Sequence, residues 1–261
     1  MKKDLQDKTL IVFDLDGTLA ESKSDMDPEM SKLIIKLLQV RKMVVIGGGK
    51  YELFKSQFIG RLTAPKELLK NLFLFPTTAT SFYRYDRGWK KIYDLQLTKK
   101  EKTAIHAAFT VAFKEVGYAH PKKTYGKVIE DRGTQVTFSA LGQEVVAELG
   151  ARGVALKKKW KDENTDMKLK LAKALQKHLP GLEVRSAGFT SIDITRKGID
   201  KAYGIRQIEK HLHVRRKDML FIGDALFPGG NDYAVRHTGV KCIPVAGPSD
   251  TKKIIRLLIA A

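Results

Sequence analysis

Asp14 and Asp16 flank a single residue in Phe13-Asp14-Leu15-Asp16-Gly17-Thr18-Leu19. Two carboxylates that close repel each other unless a cation lies between them. Far along the chain, Gly223-Asp224 is followed by Gly229-Gly230-Asn231-Asp232. Asp14, Asp16, Asp224 and Asp232 offer hard oxygen ligands, and Asn231 adds a neutral one. Such a set suits Mg²⁺, which binds through one or two carboxylates plus substrate phosphate. The cation would neutralise Asp14 and an incoming phosphate dianion together, permitting the carboxylate to attack phosphorus and form an aspartyl-phosphate. Asp16 would protonate the leaving oxygen and later activate water. Lys201 would offset the remaining negative charge. Backbone N–H groups of Gly48 and Gly49, with Lys201 and Asn231, would hold the phosphate oxygens.

These residues act together only if the elements carrying them converge. Thr9–Phe13 is a short apolar run rich in β-branched residues, the mark of a buried parallel strand, and Asp14 ends it. Asp27-Pro28 reads as an N-cap followed by Pro at the first helical position. Met30, Leu33, Ile34, Leu37 and Leu38 then recur at the spacing of one buried helix face. Met43–Ile46 is a second strand, ending in Gly47-Gly48-Gly49, with a helix expected over 51–59. The sequence predicts hairpins around Asp86-Arg87-Gly88 and Asp131-Arg132-Gly133, helices over 98–117 and 165–179, and strands at 182–185 and 191–195. Asp200 can cap a helix over 201–212, strands are expected at 218–222 and 241–245, and Ser249 or Asp250 can cap a last helix. The grammar is α/β: a Rossmann-like parallel-sheet core made from residues 1–82 and 197–261, with an α+β domain inserted over 83–196. In such sheets ligands bind beyond the C-terminal strand ends, where Asp14, the Gly turn and Asp224 fall.

The 261 residues carry 48 Lys+Arg against 29 Asp+Glu, a formal charge of +19. The excess divides almost evenly between residues 83–196 and the rest. Such charge attracts phosphorylated metabolites and polyanions alike, so a basic, non-catalytic polyanion-binding module stands as an alternative. No zinc-finger spacing or RRM-like aromatic motif points to specific nucleic-acid binding. The run Lys157-Lys158-Lys159-Trp160-Lys161 reads first as a solvated loop or helix face. Cys242 stands alone, which excludes an internal disulfide. Without a signal peptide or an apolar run long enough to span a bilayer, the expected location is the cytoplasm, with no membrane partner.

In its motifs the chain resembles the haloacid dehalogenase superfamily. The carriers are Phe13–Leu19, Lys201, and Gly223-Asp224 with Gly230-Asn231-Asp232. The inserted domain is similar to the large α+β cap subclass (IIB), and the likeness is greatest to the eukaryotic-type phosphomannomutases. Val45–Gly49 resembles their VVGGS turn, Gly198-Ile199-Asp200-Lys201 their GWDK, and Gly223–Asp232 their GDKTxPGGND. The resemblance implies Asp14 as nucleophile, Asp16 as acid/base, and Lys201 steadying Asp14 and the phosphoryl group. It implies Asp14, the Asp16 carbonyl and Asp224 around Mg²⁺, with Asp232 nearby. In the cap, Ser191 and Asp193 match a substrate-reading SFD, Arg132 falls where a substrate arginine sits, and Lys23 stands where the core has another. The resemblance leaves room for a homodimer through the cap. Gln143 stands where a second cap arginine is expected, a third is missing near Gly150, and Gly49 replaces the serine of the Gly turn. Bidentate arginines suit a fixed, non-reacting phosphate. Their loss puts first a Mg²⁺-dependent phosphatase of small phosphorylated metabolites, sugar phosphates above all, with a phosphomannomutase as the alternative.

Overall fold

The computed structural model describes residues 5, 7–21 and 24–260, which form two compact units: 1–94 with 199–261, and 95–198. In the first, β1 (Leu10–Asp14) has every residue buried. α1 (Pro28–Val40) starts at Asp27, whose side chain accepts from the Met30 N–H, and buries Met30, Leu33, Ile34, Leu37 and Leu38. β2 (Lys42–Ile46) and α2 (Tyr51–Gln57) follow, then β3 (Leu72–Phe75), β4 (Ser81–Tyr85) and β5 (Trp89–Asp94). The second unit holds α3 (Lys99–Val116), β6 (Ile129–Asp131), β7 (Val136–Ser139), α4 (Ala151–His178), β8 (Leu182–Ala187) and β9 (Ser191–Arg196). The chain then returns to the first unit through α5 (Lys201–Leu212), β10 (Met219–Gly223), β11 (Lys241–Pro244) and α6 (Pro248–Ile259).

The first unit is a seven-stranded sheet in the order β11-β10-β1-β2-β3-β4-β5. From β11 to β3 the pairs are parallel, and β4 and β5 add antiparallel. The parallel strands carry apolar residues toward both faces, and two apolar clusters form, one containing Ile11, Phe13 and Val45, the other Val12, Val44 and Ile46. Burial on both faces is why these strands read as continuous apolar runs. The chain is thus α/β, as the strand and helix spacing requires.

Several expectations need correction. The hairpin over 81–94, expected to open the inserted domain at residue 83, extends the core sheet instead. Phe82 stacks on Phe75 with centroids 4.5 Å apart, and β4 pairs with β3 through Leu74 and Tyr83. The inserted unit therefore runs from Leu95 to Gly198. The helix expected at 165–179 begins at Ala151, interrupted at Asn164 (φ −131°, ψ 15°). Its basic stretch is a helix face on which Lys157 and Trp160 are buried. α6 begins at Pro248 with Gly247 as its N-cap and no side-chain cap, so neither Ser249 nor Asp250 fills that role. β3, a four-residue run between Asn71 and Pro76, was not expected at all.

The inserted unit has its own sheet, in the order β6-β7-β9-β8 and antiparallel throughout. Its core contains Ile105, Phe109, Phe138, Leu171, Leu175, Ile192 and Ile194. Among the described residues, no helix is long and apolar enough to cross a membrane.

Candidate active site

β1 ends on Asp14 at the centre of the sheet, between β2 and β10. The next residues form a tight loop, in which the Gly17 N–H donates to the Ala20 carbonyl at 2.7 Å. Gly17 takes φ +81°, and a Cβ there would stand 2.5 Å from Asp224 Oδ2, so this close approach requires glycine. β10 ends on Gly223, where a Cβ would come within 2.3 Å of Asp232 Oδ2. Asp232 is fully buried and accepts from the Ala225 N–H at 3.0 Å. Lys201 is the first residue of α5, whose cap Asp200 accepts from the Tyr203 N–H at 2.7 Å. That start carries the Lys201 ammonium into the site.

Lys201 Nζ donates to Asp14 Oδ1 at 2.5 Å and to Asp232 Oδ1. Both Lys201 and Asp14 are buried. Carboxylate oxygens of Asp14, Asp224 and Asp232 all lie within 4.8 Å of one another. Burial pushes the Asp14 carboxyl well above its ordinary range, opposed by Lys201 and reinforced by Asp232 and Asp224. Burial and then Asp232 also raise Asp224. For Lys201, burial acts downward, but the Asp14 and Asp232 carboxylates together outweigh it and hold the ammonium above the ordinary lysine range. Three carboxylates face one ammonium in a site of low dielectric. An all-oxygen set with that charge deficit fits a hard divalent cation.

The structure brings together Asp14, Lys201, Asp224 and Asp232 of the residues expected from the sequence. Among the described residues the metal-type cluster does not include the Asp16 carboxylate. Asp16 is half-buried on the loop just beyond Asp14 and bridges to Ala20. Gly48 and Gly49 follow β2, the strand beside β1. Asn231 is exposed, one residue before the buried Asp232. Thr18, not assigned a role from the sequence, is fully buried. Its hydroxyl accepts from the Asp224 N–H at 3.1 Å and lies 3.4 Å from Asp224 Oδ1, so it anchors Asp224. The signal for it was present in the same Asp16-Gly17-Thr18 stretch that carries the acids.

Arg132, Ser191 and Asp193 belong to the second unit. Glu130, Thr137 and Asp193 form one cross-strand row, and Ser191, two residues before Asp193, shares that face of β9. The Thr137 hydroxyl donates to Asp193 Oδ1 at 2.7 Å. Arg132 donates from Nε to Glu130 Oε2 at 2.9 Å and from Nη2 to Gln143 Oε1 at 3.1 Å. Lys23 lies outside the described residues. Cys242 is half-buried, and burial pushes its thiol up to about 11, which suits a packing residue and not a nucleophile. Tyr83 stacks on Tyr51 at 3.9 Å, and Trp89 meets Tyr85 edge-on, so these hairpin aromatics serve packing.

Residues 11–234 match the family model of the haloacid dehalogenase-like hydrolases, and the chain belongs to that family. It is accordingly an enzyme of the phosphotransferase and phosphohydrolase class. The phosphomannomutase of Encephalitozoon cuniculi is 29% identical over 250 residues, covering 94% of this chain and 91% of that protein. The phosphomannomutase of Saccharomyces cerevisiae is 26% identical over 254 residues, covering 95% and 93%. An IMP-bound IMP-nucleotidase from Plasmodium falciparum has the same fold, with a TM-score of 0.69 at 13% identity over 97% of this chain and 68% of that one.

Proposed function

We propose that the protein is a Mg²⁺-dependent sugar-phosphate phosphotransferase, and specifically a phosphomannomutase interconverting mannose 1- and 6-phosphate. The observation that carries phosphoryl transfer is the buried Asp14 carboxylate, paired with Lys201 and within reach of Asp224 and Asp232. The end-to-end match to phosphomannomutases favours that reading over the phosphatase that the missing cap arginines put first. Asp14, Asp224 and Asp232 would hold Mg²⁺. When bound, the ion neutralises the carboxylates and polarises a phosphoryl oxygen.

Asp14 forms the new O–P bond as the bond from phosphorus to the sugar oxygen breaks. Asp16 gives its proton to that oxygen. Lys201 opposes the burial that favours the neutral acid at Asp14, and so favours the charged form that attacks phosphorus. In the second half-reaction the free hydroxyl of a sugar monophosphate attacks the aspartyl-phosphate and Asp16 takes that proton back, giving a sugar bisphosphate whose other phosphoryl group then passes to Asp14. In a phosphatase, water takes the place of the hydroxyl.

The phosphatase reading keeps one observation in its favour. The Arg132 fork is engaged by Glu130 and Gln143, which weakens it as a clamp for a non-reacting phosphate. The two readings separate in ³¹P NMR of mannose 1-phosphate with Mg²⁺ and a catalytic amount of hexose 1,6-bisphosphate. A mutase yields mannose 6-phosphate, whereas a phosphatase yields inorganic phosphate. Asp14→Asn lowers either rate by ~10³-fold or more. No turnover, with salt-sensitive polyanion binding that survives Asp14→Asn, would establish the non-catalytic module instead.

A further inference from the structure

β3 is followed by Pro76-Thr77-Thr78-Ala79-Thr80. Three of these residues stand in the left-handed region: Thr77 at φ 48°, Thr78 at 56° and Ala79 at 63°. None is glycine and two are β-branched. Such a run persists only where the surroundings impose it, and imposed backbone conformations of this kind gather at functional sites.

The imposing contacts are all present. The Thr77 N–H donates to the Gly49 carbonyl and the Thr78 N–H to the Gly47 carbonyl, each at 2.9 Å. The Thr80 hydroxyl donates to the Thr77 carbonyl at 2.7 Å, and the Tyr93 hydroxyl donates to the Ala79 carbonyl at 2.8 Å. Ala79 also packs beside α5, where a Cβ on Gly204 would approach its own Cβ to 3.3 Å. The turn therefore touches both the glycine loop and the helix that begins with Lys201.

Peptide planarity gives this turn a consequence for the site. In a trans peptide the carbonyl and the following N–H point in opposite directions. Drawing the Gly47 and Gly49 carbonyls toward the β3 side turns the Gly48 and Lys50 N–H groups the other way. β2 lies between β3 and β1, so that other way is the side on which Asp14 leaves the sheet. Backbone N–H groups fixed toward one side in this manner are preorganised donors for an anion.

We propose that Thr77 and Thr78 are positioning residues for phosphate: their left-handed turn aims the Gly48 and Lys50 N–H groups toward the Asp14 side of the sheet. The proposal rests on the phosphotransfer reading and deepens it. It also moves one expected donor, from Gly49 to Lys50. A side chain confines a left-handed residue to a narrow well, whereas glycine roams. Thr78→Gly therefore frees the turn without straining it, and Thr78→Asn keeps a side chain that tolerates this region.

The test titrates inorganic phosphate into the full-length protein with Mg²⁺ by calorimetry, alongside mannose 1-phosphate kinetics and thermal unfolding. For Thr78→Gly we expect phosphate affinity to fall about tenfold and KM to rise similarly, with kcat changing less than about threefold. Its unfolding midpoint should not fall, because strain is relieved. Thr78→Asn should recover most of the affinity. Wild-type affinity in Thr78→Gly overturns the proposal alone. A wild-type protein that binds no phosphate overturns the proposal together with the reading of the site on which it rests.

Discussion

Lys201 decides whether the cluster of acids is tolerable. It is the cation that the described structure places between Asp14 and Asp232. Lys201→Met leaves buried carboxylates facing one another. Breaking a buried pair from one side costs about 3–5 kcal/mol. Burial already raises Asp14, and protonation absorbs part of the cost at low pH. A carboxyl whose folded-state value is raised supports the fold below that value and opposes it above. The destabilisation of Lys201→Met should therefore be smaller at pH 5 than at pH 8. Thermal unfolding in EDTA checks this, and millimolar Mg²⁺ should recover part of the loss by binding the folded state. Melting of the variant in EDTA at the wild-type temperature would refute it.

At the scale of elements, the ends of helices and strands carry the functional and stabilising contacts. α3 starts with a capping box in which Thr98 and Glu101 satisfy each other's backbone N–H groups. Arg196, the last residue of β9, adds a fork to Glu101, with Nε and Nη2 each 3.0 Å from a carboxylate oxygen. Hydrogen bonding from Arg196 holds the Glu101 carboxyl down at about 2, against an ordinary value of 4.5. A depressed carboxyl contributes stability above its unfolded value and loses it as pH falls through the folded one. Glu101→Gln keeps the capping box and removes the ion pair. We expect it to cost roughly 0.5–1 kcal/mol at pH 7, with the two proteins converging between pH 4.5 and pH 2 in urea unfolding. A constant difference across that range would assign the effect to packing. The Thr77–Ala79 turn shows the opposite economy: a left-handed residue costs roughly 1–2 kcal/mol, and the hydrogen bonds around it offset that strain.

The whole molecule combines two units with separate cores. Unit 95–198 is one unbroken stretch of chain with its own sheet and apolar cluster. Expressed alone, it should unfold cooperatively by circular dichroism, as expected of a domain with its own core. All three clustered carboxylates lie in the other unit. Mg²⁺ should therefore raise the melting temperature of the full chain and leave the 95–198 fragment unmoved. A fragment stabilised by Mg²⁺ would relocate the metal site.

Chemical identity was legible from local sequence. Asp14, Asp224 and Lys201 sit where apolar runs stop and helices start, and residue spacing shows those boundaries because burial imposes it on each segment separately. The rule that parallel strands gather their C-terminal ends then places the three together. Position within the site was another matter. That Lys201 lies between Asp14 and Asp232, that the Asp16 carboxylate stays outside the cluster, and that Thr18 anchors Asp224 depend on partners as many as 206 residues apart. The same holds for hairpin 81–94, claimed by the core sheet through Phe75 and Leu74, and for the left-handed threonines, which local preference opposes. Where the deciding contacts are distant in the chain, no window of residues contains the interaction energy, and the tertiary structure alone resolves it.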